Sequence, residues 1–259
     1  MVKVMKLTDP EADGYITECF GRAPILIQLP TVFAVFAPAT QHGATLLDQC
    51  KARLPGKYYG VIIGDIRRFL RLSSGEPLSD YLLHSDAPDL VQTFAHEMRC
   101  TFIRMQVAPK VHASKLLCEG TLQGLILEGA LSQKMQLMEQ LTESMDDKLF
   151  GEMHNHYCAP IGSSCNMSGD PAGSITQFDD ALAFARKRGV ELLLTHDAAV
   201  GRGSQPILGI SDNRVTTLRD GPGGTEKSRL LQGWLDRALA PADHRTLRGF
   251  GGVQHHQHA

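Results

Sequence analysis

None of the six cysteines in this 259-residue chain belongs to a C-x-x-C pair. Cys19, Cys50, Cys100, Cys118, Cys158 and Cys165 stand far apart, which argues against a zinc ribbon or a disulfide framework and for reduced thiols. No stretch approaches the roughly 18 apolar residues of a spanning helix, and the opening MVKVMKLTDPEADG lacks the apolar core of a signal peptide. A cytoplasmic protein that does not cross a membrane is expected. Charge of one sign is missing too. With 26 Lys+Arg against 28 Asp+Glu the formal net charge is −2, so no global basic field attracts nucleic acid, although a local basic groove remains compatible. No internal repeat and no Walker, Rossmann or G-x-S-x-G fingerprint occurs.

What is there reads as a folded α/β protein. Hydrophobic residues at 42% and charged residues at 21% describe a globular core rather than disorder. Short apolar runs predict strands over 23–28, 31–36, 59–63, 101–107, 190–195, 207–210 and 215–218. Helical spacing predicts helices over 40–51, 66–72, 78–83, 87–98 and 226–239. Thr176-x-x-Asp179 resembles a capping pattern for another helix, running to Arg188 and stopping at Gly189. In the stretch 119–155, Leu131, Met135, Met138, Leu141, Met145 and Leu149 keep one helical face, either core or a partner surface. A boundary is expected near Gly221–Gly224, with a C-terminal helix and a flexible histidine-bearing tail beyond it.

Several polar groups stand out against this background. Residues 159–174, APIGSSCNMSGDPAGS, read as a loop that gathers Ser163, Ser164 and Asn166, groups that hydrogen-bond anions. Cys165 between them reads as a small packing residue. Lys51, Arg53 and Lys57 fit either favourable charge at a helix C-terminus or an anion clamp. Arg104 is a lone charge in an apolar strand, so it ends in a cleft or pairs with an acid. Ser204 lies in a Gly-rich loop, and Arg219 precedes Asp220-Gly221. His112, His154 and His156 lack a defined ligand set, so no metal site is expected.

In order along the chain, K-x-R, a strand Arg, S-x-N and L-R-x-G resemble the YrdC-like family over about residues 20–221. Lys51 and Arg53 match its K-x-R, Ser164 and Asn166 its S-x-N, Arg104 the Arg of its V-R-x-P strand, and Arg219 its I-L-R-x-G end. Lys57 falls at a polar ATP contact, and Ser204 near the Ser of S-T-V-V-D. Residues 30–36, with Thr31, stand for P-T-D/E-T-V-Y-G-L but lack the acidic residue and second Thr. The strand 61–63 is wholly apolar where the family often carries a polar residue. Both departures fall on the amino-acid side of the family's site.

The resemblance implies an open twisted mixed α/β sheet with a concave, positively lined cavity. A YrdC-like domain would occupy residues 1–221 with a helical insertion over about 119–155, followed by the helix and tail of 222–259. It implies ATP-dependent synthesis of threonylcarbamoyl-AMP from L-threonine and bicarbonate, with Mg2+ accompanying ATP, as in tRNA modification. Lys51, Arg53, Lys57 and Arg219 would hold phosphates, Ser164 and Asn166 the nucleotide, and Thr31, Arg104 and Ser204 the amino acid. The departures point to a more apolar or differently shaped amine. Two other readings stand beside it. One is a protein binding double-stranded RNA, or nucleotide without catalysis, with Arg67, Arg68 and Arg71 adding to a basic patch. The other is a carbamoyl-transfer module that recruits a partner or a second copy through the Met-lined 119–155 segment.

Overall fold

Strand residues alternate between two faces of a sheet, and in this chain the two faces are covered very unequally. The computed structural model describes residues 1–73, 75–87, 89–113, 115–151, 157–196 and 203–241. Ten strands form one mixed sheet: β1 (Lys3–Lys6), β2 (Ile25–Gln28), β3 (Phe33–Ala37), β4 (Gly60–Ile63), β5 (Thr101–Gln106), β6 (Thr121–Ile126), β7 (Ile161–Ser164), β8 (Leu192–Thr195), β9 (Ile207–Ser211) and β10 (Arg214–Arg219). Their order is β1-β8-β2-β3-β7-β4-β6-β5-β9-β10. Neighbours β1/β8, β8/β2, β4/β6 and β5/β9 run parallel, and the other pairs antiparallel.

One face carries the larger core. Val35, Val61, Ile63, Ile103, Met105, Leu122 and Leu208 point there, and helices pack on them: α2 (Gln41–Lys51), α3 (Ile66–Leu72), α4 (Pro77–His84), α5 (Leu90–Glu97), α7 (Phe178–Lys187) and α8 (Gly224–Leu239). The other face holds Ile25, Ile27, Ala34, Phe36, Ile62, Leu125, Leu192 and Leu194. Among the described residues only α1 (Ala12–Cys19) and α6 (Gly129–Glu143) add buried helical residues to it. The rest of that face, over β3 to β9, is left concave. Past the expected boundary, α8 adds Leu231, Trp234, Leu235 and Ala238 to the larger core, with Trp234 edge-on to Phe94 at 5.5 Å.

Local chemistry explains where α2 starts and stops. Thr40 Oγ1 accepts from Gly43 N at 2.9 Å, capping the first turn. The helix closes at Ala52 in the left-handed region (φ 44°), so the chain doubles back and Arg53 N bonds Asp48 O. The Gly189 stop after α7 is also present, with φ +74°.

Four sequence expectations change. Residues 161–164 are not loop but β7, a central strand between β3 and β4. Residues 121–126 are not helix but β6, hydrogen-bonded between β4 and β5, so the 119–155 stretch is partly sheet. Its helix, α6, ends at Glu143, leaving Met145 and Leu149 outside it. Leu131, Met135, Met138 and Leu149 are buried and belong to the core, while Leu141 and Met145 are half-buried. Finally, Gln177 stands at the start of α7 with no side-chain cap bond, so the Thr176 capping pattern is not used.

Glu139 on α6 is 2% exposed, 2.8 Å from Arg68 Nη1, which also reaches Glu143 at 2.7 Å. Burial outweighs the Arg68 charge and pushes its carboxyl up from 4.5 to about 7. Between those values the folded protein holds a proton that the unfolded chain has lost, so stability is greatest below about pH 4.5 and falls as pH rises to 7. Glu139→Gln should flatten that slope, which corresponds to on the order of 2–3 kcal/mol. Urea unfolding from pH 5 to 8 measures it, and an unchanged slope would remove Glu139 as its source.

Candidate functional site

The open face of the sheet floors a cavity of about 450 Å³. Period-two alternation sends Phe102 and Arg104 to it from β5, Gln123 and Leu125 from β6, Gly60 and Ile62 from β4, Gly162 and Ser164 from β7, Ala34 from β3 and Ile207 from β9. Arg104 pairs with Gln123 across the β5–β6 ladder, and Gly60 with Gly162 across β4–β7. One step along, Ile62, Leu125, Phe102 and Ile207 form an apolar row. A Cβ at Gly60 would come within 2.7 Å of the Phe102 ring and 3.3 Å of Gln123 Nε2. At Gly162 it would press on Ile62 at 3.0 Å and Phe36 at 3.2 Å. At the centre of the floor the two glycines therefore leave room for side chains from neighbouring strands, which lie where their own Cβ atoms would be.

The end of α2 and the turn after β7 build one wall together. Lys51 is 3% exposed, and its Nζ donates to Ser164 O, to Asn166 O at 2.8 Å and to Asn166 Oδ1 at 3.3 Å. Ser164 Oγ donates to Asn166 Oδ1 at 2.8 Å, and Asn166 Nδ2 to Met167 O at 3.0 Å. Ser168 N bonds Lys51 O, and Leu54 N bonds Ser168 Oγ, so the two segments are stitched along their length. All three ammonium donors are thus engaged. Lys51 fixes Ser164 and Asn166 in place and contributes its charge, rather than standing free as a phosphate ligand. Cys165, between them, has no exposed surface, and burial raises its thiol well above the usual range, which suits packing and not nucleophilic chemistry.

Arg53 lies over the Tyr59 ring, 3.9 Å from its centroid, and donates to Tyr58 O at 2.5 Å. Tyr59 in turn donates to Asp48, which Lys115 holds at 2.9 Å. The acid is one shell removed, so the guanidinium keeps its charge for the cavity. Lys57 is exposed at the mouth.

Arg104 resolves the choice left open by the sequence. It ends in the cleft, and its Nη2 donates to Gln123 Oε1 at 2.8 Å rather than to an acid. Arg219 donates to Gln205 O through Nε (3.1 Å) and Nη2 (2.7 Å), which sets it at the cavity edge. Ser204 lines the cavity with its hydroxyl 2.6 Å from that of Ser174. Thr31 is not among the lining residues. Its Oγ1 is buried without a partner, and its carbonyl accepts from Gly203 N at 3.0 Å, tying the β2–β3 turn to the segment entering β9. Eight of the nine residues singled out from the sequence therefore meet at one cavity, and Thr31 stands behind its wall.

Among the described residues five cations line this cavity—Lys51, Arg53, Lys57, Arg104 and Arg219—and no Asp or Glu does. Arg104 Nε and both amide atoms of Gln205 are buried and unpartnered. Unpaired donors and cations without counter-charges fit a polyanion such as a nucleotide triphosphate. No group of three His, Cys, Asp or Glu suited to a metal ion occurs among the described residues. His154, His156 and the tail histidines lie outside the described residues. No helix among the described residues is long and apolar enough to cross a membrane.

Sequence reasoning missed Gln123, Phe102 and Gln205. Phe102 was legible in principle, since i and i+2 on a strand share a face with Arg104. Gln123 and Gln205 carried no signal, because each depends on which strand lies beside it.

No protein-family model matches the sequence, and no curated protein does. Solved structures do. P. abyssi Sua5 complexed with L-threonine superposes with a TM-score of 0.53 at 15% identity, over 81% of this chain and 53% of that one. E. coli YciO gives 0.59 at 10% identity, over 88% of this chain and 100% of that one. Full-length HypF in its phosphate- and nucleotide-bound form gives 0.54 at 16% identity, over 82% of this chain and 29% of that one. The chain thus spans about half of the Sua5 chain, under a third of HypF and all of YciO. It has the YrdC-like fold that these proteins share.

Burial, and secondarily Arg53, draws the Lys51 ammonium down from 10.5 to about 8. The ligand-free protein therefore gains stability as pH rises from 8 towards 10.5, while a bound anion favours the charged form. Affinity for a polyanion, read by isothermal titration with tripolyphosphate, should fall severalfold between about pH 7 and 9.5 as the Lys51 charge within the cavity wall is lost. Lys51→Met should be weak at both pH values; a wild-type profile in that variant would clear Lys51 of the effect. Replacing Gln205 by Leu removes two unpaired buried atoms, so denaturant unfolding of the ligand-free protein should show a gain of about 1–2 kcal/mol.

Proposed function

We propose that this protein condenses ATP, bicarbonate and an amine into a carbamoyl adenylate, releasing pyrophosphate. The observation that carries this reading is the cavity itself: among the described residues it is lined by five cations and no carboxylate, on a YrdC-like sheet. Two neighbours support its two halves. HypF was solved with phosphate and nucleotide, and P. abyssi Sua5 with L-threonine.

The amine and bicarbonate give a carbamate and water. A carbamate oxygen then attacks the α-phosphorus of ATP as the bond to the pyrophosphate oxygen breaks. Negative charge shifts onto the leaving pyrophosphate, where Arg53, Lys57 and Arg219 neutralise it. Ser164 and Asn166, fixed by Lys51, hydrogen-bond nucleotide and phosphate oxygens. Arg104 takes the carboxylate of the amino acid or carbamate, with Ser204 beside the same chamber. Thr31 supports this wall through Gly203 instead of touching ligand. No dedicated base is needed, because the carbamate is already an anion, and positioning does most of the work.

The RNA reading fares less well. Arg68, one of the cations assigned to its patch, is held by Glu139 and Glu143. A cavity of about 450 Å³ has the size of a small-molecule site.

Pyrophosphate release should require ATP, bicarbonate and an amino acid together. Arg53→Ala should lower kcat/KM by about a hundredfold or more, as loss of a preorganised charge does. Folded protein that binds ATP yet releases no pyrophosphate with any member of an amino-acid panel would sink the reading.

A further inference from the structure

The floor beside Arg104 narrows the acceptor. We infer that the amine taken by this site is an α-amino acid with an apolar side chain, its carboxylate on Arg104 and its side chain on Phe102. The inference rests on the carbamoyl-adenylate reading for the reaction, but its geometry is independent of it.

Arg104 and Phe102 are two residues apart on β5 and face the same chamber. Gln123 Oε1 holds one end of the guanidinium at 2.8 Å, and no acid among the described residues lines the cavity beside it, so the remaining donors are set for a carboxylate. Phe102 is only partly buried although it lies in the sheet interior, and its ring leans across β6 towards Gly60. Ile62, Leu125 and Ile207 continue its row on either side. A substrate hydroxyl placed there meets carbon. Of the hydroxyls lining the cavity, Ser164 bonds Asn166, Ser168 accepts from Leu54 N and Ser204 meets Ser174; Ser163 and Tyr58 also line it, and none of the five belongs to this row. The acceptor oxygen of Gln123 is occupied by Arg104. An aliphatic or aromatic side chain loses nothing in this row, whereas a threonine hydroxyl gives up water without compensation. Discrimination between such side chains by an apolar pocket is about ten- to hundredfold.

The test compares L-leucine, L-phenylalanine, L-threonine and L-serine. With ATP and bicarbonate, pyrophosphate release should give leucine or phenylalanine a kcat/KM at least tenfold above threonine. Threonine or serine equal to or better than leucine would overturn the inference while leaving the reaction class standing. If no amine supports release, the reaction fails, and isothermal titration of L-leucine and L-threonine still judges the pocket. Tighter leucine binding supports it; equal binding, tighter threonine or no binding of either overturns it. Phe102→Ser should bring the leucine-to-threonine ratio, in whichever assay reads it, close to one, and Phe102→Leu should restore most of it. ATP titration checks that each variant is folded. An unchanged ratio in a folded Phe102→Ser protein would equally overturn the assignment.

Discussion

A buried ammonium without a carboxylate to pair with must be held by dipoles, and the rest of this site follows from how Lys51 meets that demand. Its three protons go to two backbone carbonyls and one side-chain oxygen, from the last residue of β7 and the turn after it. That turn is thereby drawn against the end of α2, and the reversal at Ala52 brings Arg53 around onto the Tyr59 ring. An acid at this point would have been the simpler solution for stability. It would also have cancelled the field that an anion needs. The structure instead keeps Asp48 behind Tyr59, where it accepts from the tyrosine hydroxyl and does not line the cavity.

How much of this was legible beforehand varies by element, for physical reasons. Helix α2 was readable because its cap, its apolar spacing and its basic end all agree. Strand β7 was not. Ile161-Gly162-Ser163-Ser164 has little strand propensity and is held by β3 on one side and β4 on the other, so its state is decided by tertiary pairing. Strand β6 failed likewise: Gln123 and Gly124 interrupt its apolar pattern, one because it serves the cavity, the other because Ile63 and Phe69 occupy the space of its side chain. The site residues themselves were visible as an ordered set of unusual charges and amides. Their grouping was readable, but the partner of each was not. Lys51 as a clamp on the chain and Thr31 as a support outside the cavity emerge only from the folded arrangement.

The unequal cover of the two sheet faces links fold to site. Strands carrying Val, Ile and Leu on one side and Gly, Gln, Arg and Ser on the other could not bury both sides completely without stranding polar groups. Helices α1 and α6 seal the part of the second face that is apolar, and stop where the polar residues begin. The fold itself is shared with solved neighbours at 10–16% identity, so it tolerates nearly complete replacement of the sequence.

The paired glycines Gly60 and Gly162 separate two properties that most binding sites entangle. Depth of the chamber is set by what those two backbones lack, while attraction for anions is set by side chains on the rim and on β5. One methyl group at either glycine would reshape the volume without altering any charge. The shape of the chamber and its charge are therefore separable properties, one written in the backbone of the floor and the other in the side chains around it.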